Sequence, residues 1–484
     1  MTALGPAVDD EADARWRDLV FPADWSNPVP SGRYNLVVIG AGPAGLITSI
    51  VAAGLGARVA LVERHAMGGD CLNVGCVPSK TLLAAAARGL PFAAAMARMR
   101  AVRAAIARHD SVQRYTASGI DVFLGTARFE DAHRIRVGAS LLETRKTVIC
   151  TGARAALPPV PGLAEAGART NETIFDLEVA PRRLAVLGAG PIGCELALAF
   201  ARLGVEVHLL EAQPRVLPVE DTDAAMLVAA ALQRAGVRLH LGVRIERVER
   251  RAERRRVLLA GGDYVEAEEL LVAAGRRRNV EDLALERAGV RFDPHEGVLV
   301  DARLRTSHRD IYAAGDVCSR LQFTHSADAQ ARIVIRNALF MGRARVDRLV
   351  VPWCTYTTPE LARVGASRRE LDAAGRSYDT LRVEFGELDR GRTDDGGDGY
   401  AEVLVERGGD RLLGATIVSK DAGEQLAPLV LMMTTGLGFA ALGSLVLPYP
   451  TRSEYLRRLV DLWNRRRLTP RAARMLATWL RWRR

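Results

Sequence analysis

Lysine is nearly missing from this sequence: of 67 basic residues only Lys80, Lys146 and Lys420 are lysines, so each survivor of that bias is worth locating. Cysteine is scarce too, six in 484 residues. Met1 to Pro30 is acidic and has neither the basic nor the apolar segment of a secretory signal. A reducing cytoplasmic setting is therefore expected in preference to a disulfide-stapled secreted domain, and residues 1–32 read as a surface leader. Acids are absent in their turn from Arg465 to Arg484, which holds eight arginines, so the rest of the chain shares a net charge of only about +2. A nearly neutral body offers no face for nucleic acid. Membrane-spanning length is approached once, in the uncharged run Leu426 to Pro448, but Gly436, Gly438, Gly443, Thr434 and Thr435 interrupt it. Two short helices buried at a subunit interface are predicted there, and no transmembrane helix. With 49% hydrophobic residues the chain can fill roughly two to four domains.

What is present is an internal echo. Leu36-Val-Val-Ile-Gly-Ala-Gly-Pro-Ala-Gly45 returns 148 residues later as Leu184-Ala-Val-Leu-Gly-Ala-Gly-Pro-Ile-Gly193. Each copy predicts an apolar strand, a Gly-x-Gly-x-x-Gly turn, an Ala-rich helix and a second strand that ends in an acid. Glu63 and Glu211 each lie 23 residues past their first glycine. The first glycine of such a motif permits the tight turn, the second lets backbone N–H groups approach a pyrophosphate, and the third lets helix pack on strand. The acid takes the ribose hydroxyls, which favours an unphosphorylated 2′-OH and hence NADH over NADPH at the second site. A single motif is weak; two matched copies point to two dinucleotide sites. Beyond them, Val243 to Val248 and Arg256 to Leu259, with a Gly261-Gly262 turn, predict a hairpin or meander, and the arginines from Arg250 to Arg256 read as its solvated face. From Val351 the pattern becomes β-rich and then helical, the mark of a further α+β domain.

Directly after the first nucleotide unit comes Gly68-Gly-Asp-Cys-Leu-Asn-Val-Gly-Cys-Val-Pro-Ser-Lys80. Two cysteines five apart at the start of a helix can close a small ring, and a thiolate near a helix N-terminus is favoured as the reactive anion. Lys80, one turn after Cys76, adds a cation. With this motif the chain resembles the class I pyridine nucleotide-disulfide oxidoreductases, the group of dihydrolipoamide dehydrogenase, glutathione reductase and mercuric reductase. The resemblance spans roughly residues 34–464 and includes Cys150-Thr-Gly152, Gly275-Arg-Arg-Arg-Asn279, Ile311-Tyr-Ala-Ala-Gly-Asp-Val317 and Thr357-Thr-Pro-Glu360.

The resemblance implies an α/β fold with two Rossmann-like domains, for FAD and NAD, and a C-terminal α+β dimerisation domain. The expected boundaries are 33–152 with 271–350 for the discontinuous FAD domain, 153–270 for the NAD domain, 351–464 for dimerisation and 465–484 for a basic amphipathic tail. Gly40, Gly42, Gly45, Glu63, Gly152, Gly275 and Asp316 would hold FAD, the last through its ribityl chain. Gly188, Gly190, Gly193 and Glu211 would hold NAD, and Ala212 stands where NADPH-preferring members carry arginine. Cys71 and Cys76 would form the redox disulfide, Cys76 next to the flavin and Cys71 meeting the acceptor. Lys80 would pair with Glu195 near the flavin. No metal site is expected: Cys318 and Cys354 lack ligand spacing and read as packing residues, and His325 reads as structural or as a neighbour of the flavin.

The family pattern breaks at Tyr449-Pro-Thr-Arg-Ser-Glu454, where the thiol-disulfide members have His-Pro-x-x-x-Glu. A phenol titrates near 10 and an imidazole near 6.5, so Tyr449 is a poor proton shuttle near neutrality and Glu454 loses its imidazole partner. Mercuric reductases also use a tyrosine here, yet they add a C-terminal cysteine pair, and no cysteine follows Cys354. The expected function is electron transfer from NADH through FAD and Cys71/Cys76 to a small acceptor, a metal ion included, in a homodimer. In the tail, Thr469 and Pro470 predict a helix start, with Ala472, Met475, Leu476, Trp479 and Leu480 on one face among arginines. That face suits peripheral contact with the inner side of an anionic membrane or docking on the dimer itself. It leads to the alternative of a membrane-recruited enzyme whose acceptor is another protein or a quinone.

Overall fold

The computed structural model describes residues 10–394 and 397–484. The backbone divides into two compact units. One runs to Pro214 and resumes from Ala235 to Leu349; the other joins Arg215–Arg234 to Val350–Arg484.

The first unit holds both nucleotide folds. Tyr34–Ile39 lies between Val59–Glu63 and Ser140–Ile149, and Asp121–Leu124 and Ile311–Ala313 extend these into five parallel strands. Leu36 to Ile39 are buried on both faces, as an unbroken apolar run in a helix-covered parallel sheet requires. Ala127–Asp131 and Arg134–Val137 join antiparallel to the same sheet. Ile311–Ala313 lies more than 160 residues beyond its partner Ser140–Ile149, and this pairing is what makes the domain discontinuous. The second nucleotide fold has four parallel strands in the order Arg238–Leu241, Glu206–Glu211, Arg183–Leu187, Glu269–Val272.

The predicted hairpin is a three-stranded antiparallel meander, Ile245–Arg251, Arg254–Leu259 and Tyr264–Ala267. Gly261-Gly262 turns between its second and third strands, and the arginine run straddles the first turn. Arg247 and Arg251 pair with Glu249, while Arg254 and Arg256 pair with Glu266.

The surface leader requires correction over its described part; residues 1–9 lie outside the described residues. Glu11–Val20 is a helix capped by Asp10, whose carboxylate accepts from Ala12 N–H at 2.7 Å. Trp16 and Val20 are 5% and 0% exposed in the core of the first nucleotide fold. Counting acids hid this, because Trp16 and Val20 share one buried face with Asp13, whose charge is met by Arg17 and the buried Arg103. Further on, Trp25 Nε1 donates to Val122 O and Asn27 exchanges bonds with Leu124, so this stretch borders the sheet.

Residues 215–234 differ from the boundary expected for the NAD domain. The helix Thr222–Arg234 belongs to the second unit, where Asp223 bonds Arg368 and Arg382, and Glu220 meets Arg363 and Trp353. That unit is built on a five-stranded antiparallel sheet, ordered Trp353–Thr355, Glu360–Gly365, Leu412–Ser419, Tyr400–Glu406, Tyr378–Glu384. The helices Ala427–Thr435 and Glu454–Arg467 cover it with Leu429, Met432, Tyr455, Leu459 and Trp463. Within the interrupted apolar run, Ala427–Thr435 is followed by the short turn of helix Phe439–Ser444. Leu431, Leu437, Leu445 and Val446 stay exposed there. Among the described residues no helix is long and apolar enough to cross a membrane. Arg465 to Arg467 end the helix Glu454–Arg467, and the tail helix proper is Pro470–Trp482, capped by Thr469 and without a buried residue.

Candidate active site

The two Gly-x-Gly-x-x-Gly turns fold alike. Gly40 and Gly188 sit at φ +104° and +102°, a region that only glycine enters without strain. A Cβ on Gly45 would lie 1.8 Å from Gly40 O, and one on Gly193 1.9 Å from Gly188 O, so the third glycine lets helix close on strand. A Cβ on Gly190 would meet nothing within 4 Å, which leaves room above the helix start. The helices Pro43–Gly54 and Pro191–Arg202 begin at these turns and direct free N–H groups into that space. Glu63 accepts from Ala41 N–H at 2.6 Å and His65 N–H at 2.7 Å, and Glu211 from Ala189 N–H and Gln213 N–H, both at 2.8 Å. These bonds hold each acid at its strand end. Gly40, Glu63, Arg64, Thr126, Thr151 and Asn279 line a cleft over the first turn. Both cradles therefore fit a dinucleotide.

Cys76 is the first residue of the helix Cys76–Ala87. Cys71 sits in the short helix before it, and both sulfurs are free thiols, Cys76 exposed and Cys71 half-buried. They differ in acidity. A hydrogen bond donated by Cys71 lowers the Cys76 thiol to about 6, and Thr324, at 3.6 Å, and Lys80 lower it further. The same hydrogen bond, with burial, pushes Cys71 far up. The pair thus shares one proton, held on Cys71. Lys80 Nζ lies 2.7 Å from Oε2 of the buried Glu195, which joins the cysteine helix to the second nucleotide helix Pro191–Arg202.

Asp316 is half-buried; burial raises it to about 6, the Arg276 guanidinium opposes, and Asp70 reinforces the rise. Arg276 reaches both carboxylates, lying 3.5 Å from Asp316, and donates to Ala153 O at 2.8 Å. Gly152 and Gly275 flank the crossing between the nucleotide folds, where Ala153–Ala155 pairs with Arg276–Arg278. Asp70, Thr324 and the role of Arg276 were not singled out in the sequence. Asp70 and Arg276 lie inside quoted motifs, whereas Thr324 is 248 residues from Cys76 and carries no local signal.

Tyr449 and Glu454 belong to the second unit. Tyr449 is 72% exposed, and its hydroxyl donates to Asp389 at 2.5 Å, which holds the phenol above its ordinary range. Glu454 accepts from Arg458 at 2.8 Å through Oε1, while its buried Oε2 meets no hydrogen-bond donor among the described residues. Cys318 Sγ donates to Gly315 O, and Cys354 contacts Glu360. His325 stacks on Phe323 with ring centroids 5.4 Å apart. Among the described residues no group of three or more His, Cys, Asp or Glu could hold a metal ion.

Two family models match the chain: pyridine nucleotide-disulphide oxidoreductase over residues 34–331, and the dimerisation domain of the same family over 351–460. Mercuric reductase of Staphylococcus aureus is 33% identical over 446 residues, 88% of this chain and 82% of that protein. Dihydrolipoyl dehydrogenase of Thermus scotoductus is 33% identical over 451 residues, 87% of this chain and 96% of that one. The solved structure of RclA from Escherichia coli, described as an HOCl-induced flavoprotein disulfide reductase, superposes with a TM-score of 0.83 at 31% identity, covering 89% of this chain and all of that one. The chain belongs to the pyridine nucleotide-disulphide oxidoreductases, as a flavin-dependent enzyme that uses FAD and a nicotinamide and carries the family's dimerisation domain.

Proposed function

We propose that the chain is an NADH-linked reductase whose Cys71/Cys76 pair delivers two electrons to a small thiophilic acceptor, a metal ion such as Hg(II) or Cu(II) or a small oxidant. The observation that carries this reading is the thiol pair at the start of the helix Cys76–Ala87, where Thr324 lies 3.6 Å from Cys76 Sγ and negative charge is favoured on Cys76 over Cys71. Bound FAD supplies the relay of an electron pair from nicotinamide to the disulfide. Opening of that disulfide takes two electrons and one proton, which leaves the thiol on Cys71 and the thiolate on Cys76. Thr324 holds the charge at Cys76 Sγ, and Lys80, fixed by Glu195, adds a positive field beside it. For a divalent ion reduced to the metal, the balance is NADH and M(II) in, NAD⁺, H⁺ and the metal out.

Three supports favour such an acceptor over a dithiol. Tyr449 is bonded to Asp389 and held in its neutral form, so it cannot serve as the base that lipoamide turnover needs. Relatives are named mercuric reductase. RclA is also described as a Cu(II) complex. For the donor, Glu211 ends the second strand of the second nucleotide fold, where an acid favours an unphosphorylated ribose, and Arg215, four residues on, donates to the carbonyls of Pro218 and Glu220. In this reading Gly40, Gly42, Gly45, Glu63, Gly152, Gly275 and Asp316 hold FAD, and Gly188, Gly190, Gly193 and Glu211 hold NADH. Steady-state rates with NADH and NADPH against Hg(II), Cu(II), lipoamide, glutathione disulfide and a quinone test it. Metal-dependent NADH oxidation that disappears in Cys71→Ser and Cys76→Ser is expected; lipoamide as the fastest acceptor would sink the reading.

The tail favours a second reading. Met475, Leu476, Trp479, Leu480 and Trp482 of Pro470–Trp482 are all at least half exposed, among arginines and without an acid. In that reading the enzyme sits on the cytoplasmic face of an anionic membrane and serves a quinone or a protein acceptor. Flotation with phosphatidylglycerol vesicles should carry the intact protein and leave a Trp479→Glu/Leu480→Glu variant behind; equal behaviour of the two refutes it.

A further inference from the structure

We propose that the helix Glu11–Val20 is a positioning brace for the redox loop, in which the Trp16 indole, through Asn73, sets the placement of Cys71 against Cys76. The family model begins at residue 34, downstream of this helix. Asn73 stands between the two cysteines and is 4% exposed. Its amide nitrogen donates to Met67 O at 3.0 Å and Gly69 O at 2.9 Å, and thereby folds the segment that carries Cys71 back on itself. The oxygen of the same amide accepts from Trp16 Nε1 at 2.8 Å.

The rest of the brace is equally specific. The Arg103 guanidinium lies 3.7 Å from the Trp16 ring centroid, donates to Asn73 O at 3.3 Å and pairs with Asp13 at 2.8 Å. Arg103 and Asp13 are each nearly fully buried. The helix end takes part as well, since Met67 N–H donates to Val20 O at 3.0 Å just before the Gly68-Gly69 turn. Buried hydrogen bonds of this kind fix one arrangement, because any other leaves desolvated donors and acceptors unmatched. Loss of the indole N–H frees the Asn73 amide to rotate, and the loop between the cysteines loosens while the nucleotide cradles keep their form.

The test compares Trp16→Phe, which keeps the ring and removes the N–H, with Trp25→Phe, which removes an indole bond to Val122 O at 3.3 Å that lies in a different part of the same segment. Thiolate absorbance of the reduced protein is titrated against pH, and the thermal midpoint and bound FAD are measured alongside. In Trp16→Phe the lower thiol midpoint should move by at least about half a unit with FAD retained, the size that the net worth of one hydrogen bond gives. Trp25→Phe should leave that midpoint in place while it lowers the thermal midpoint. Arg103→Lys keeps a cation for Asp13, loses the bond to Asn73 O, and should shift the titration as Trp16→Phe does; it decides the matter if Trp16→Phe does not fold. A titration unchanged in Trp16→Phe, or in Arg103→Lys where that variant decides, overturns the brace, as does an equal shift in Trp25→Phe.

Discussion

Replacement of Cys71 by alanine should move the titration of Cys76 upward, and the size follows from the contacts. Cys76 stands at about 6 from an ordinary 9.0, and the hydrogen bond from Cys71 is the largest contributor. A hydrogen bond to a charged group is worth about 1.5–3 kcal/mol, and one pKa unit is 1.36 kcal/mol, so loss of the donor corresponds to roughly one to two units. Exposure of Cys76 lets water replace part of the bond, which brings the expected rise to about one unit. Thr324→Val removes a longer contact, 3.6 Å, and should shift it by less. The assay is the rate of alkylation by iodoacetamide as a function of pH, with the protein reduced. The sign extends to stability. Because the native Cys76 midpoint is depressed, the unfolded chain binds more protons between about 6 and 9, and the stabilisation from Cys76 grows as pH rises through that window and is absent below it. A Cys71→Ala protein whose Cys76 titrates at or below the parent value would refute the shared-proton account.

Lys80→Met leaves the buried Glu195 carboxylate without its 2.7 Å cation and should lower stability. Breaking a buried pair costs about 3–5 kcal/mol, and the partial exposure of Lys80 reduces this to about 1–2 kcal/mol, read by urea denaturation. Adding Glu195→Gln should restore part of the loss; a double variant weaker than the sum of the single ones would contradict the pairing. Gly193→Ala drives a Cβ to 1.9 Å from Gly188 O, and should cost about 1–3 kcal/mol and weaken NADH binding while FAD stays bound, checked by flavin content and by KM for NADH. Glu211→Arg should lower kcat/KM for NADH relative to that for NADPH; an unchanged ratio would remove the ribose argument.

Several parts of this protein were legible from local pattern. The duplicated glycine turns, the acids Glu63 and Glu211 and the Cys71–Cys76 loop each lie within short stretches whose backbone requirements are met by nearby residues. Glycine at positive φ and a third glycine under a carbonyl are local necessities, and they leave a local mark. The tail helix was visible through its cap and its one-sided apolar pattern, since neither needs a distant partner.

Tertiary structure decided the rest, because it rests on groups far apart in the chain. The acid-rich start read as surface until Trp16 and Val20 were seen in the core; a helix can bury one face whatever its net charge. The helix Thr222–Arg234 follows the second nucleotide motif in sequence, yet Asp223 finds its cations, Arg368 and Arg382, in the C-terminal unit. Thr324 reaches Cys76 across 248 residues, and Asp70 meets Arg276 across 206. The sequence by itself therefore determined the two nucleotide folds and the place of the cysteine loop beside the first of them. How the two thiols divide their proton, and which residues brace them, depended on burial and on long-range hydrogen bonds, whose strength is set by surroundings that no short motif contains.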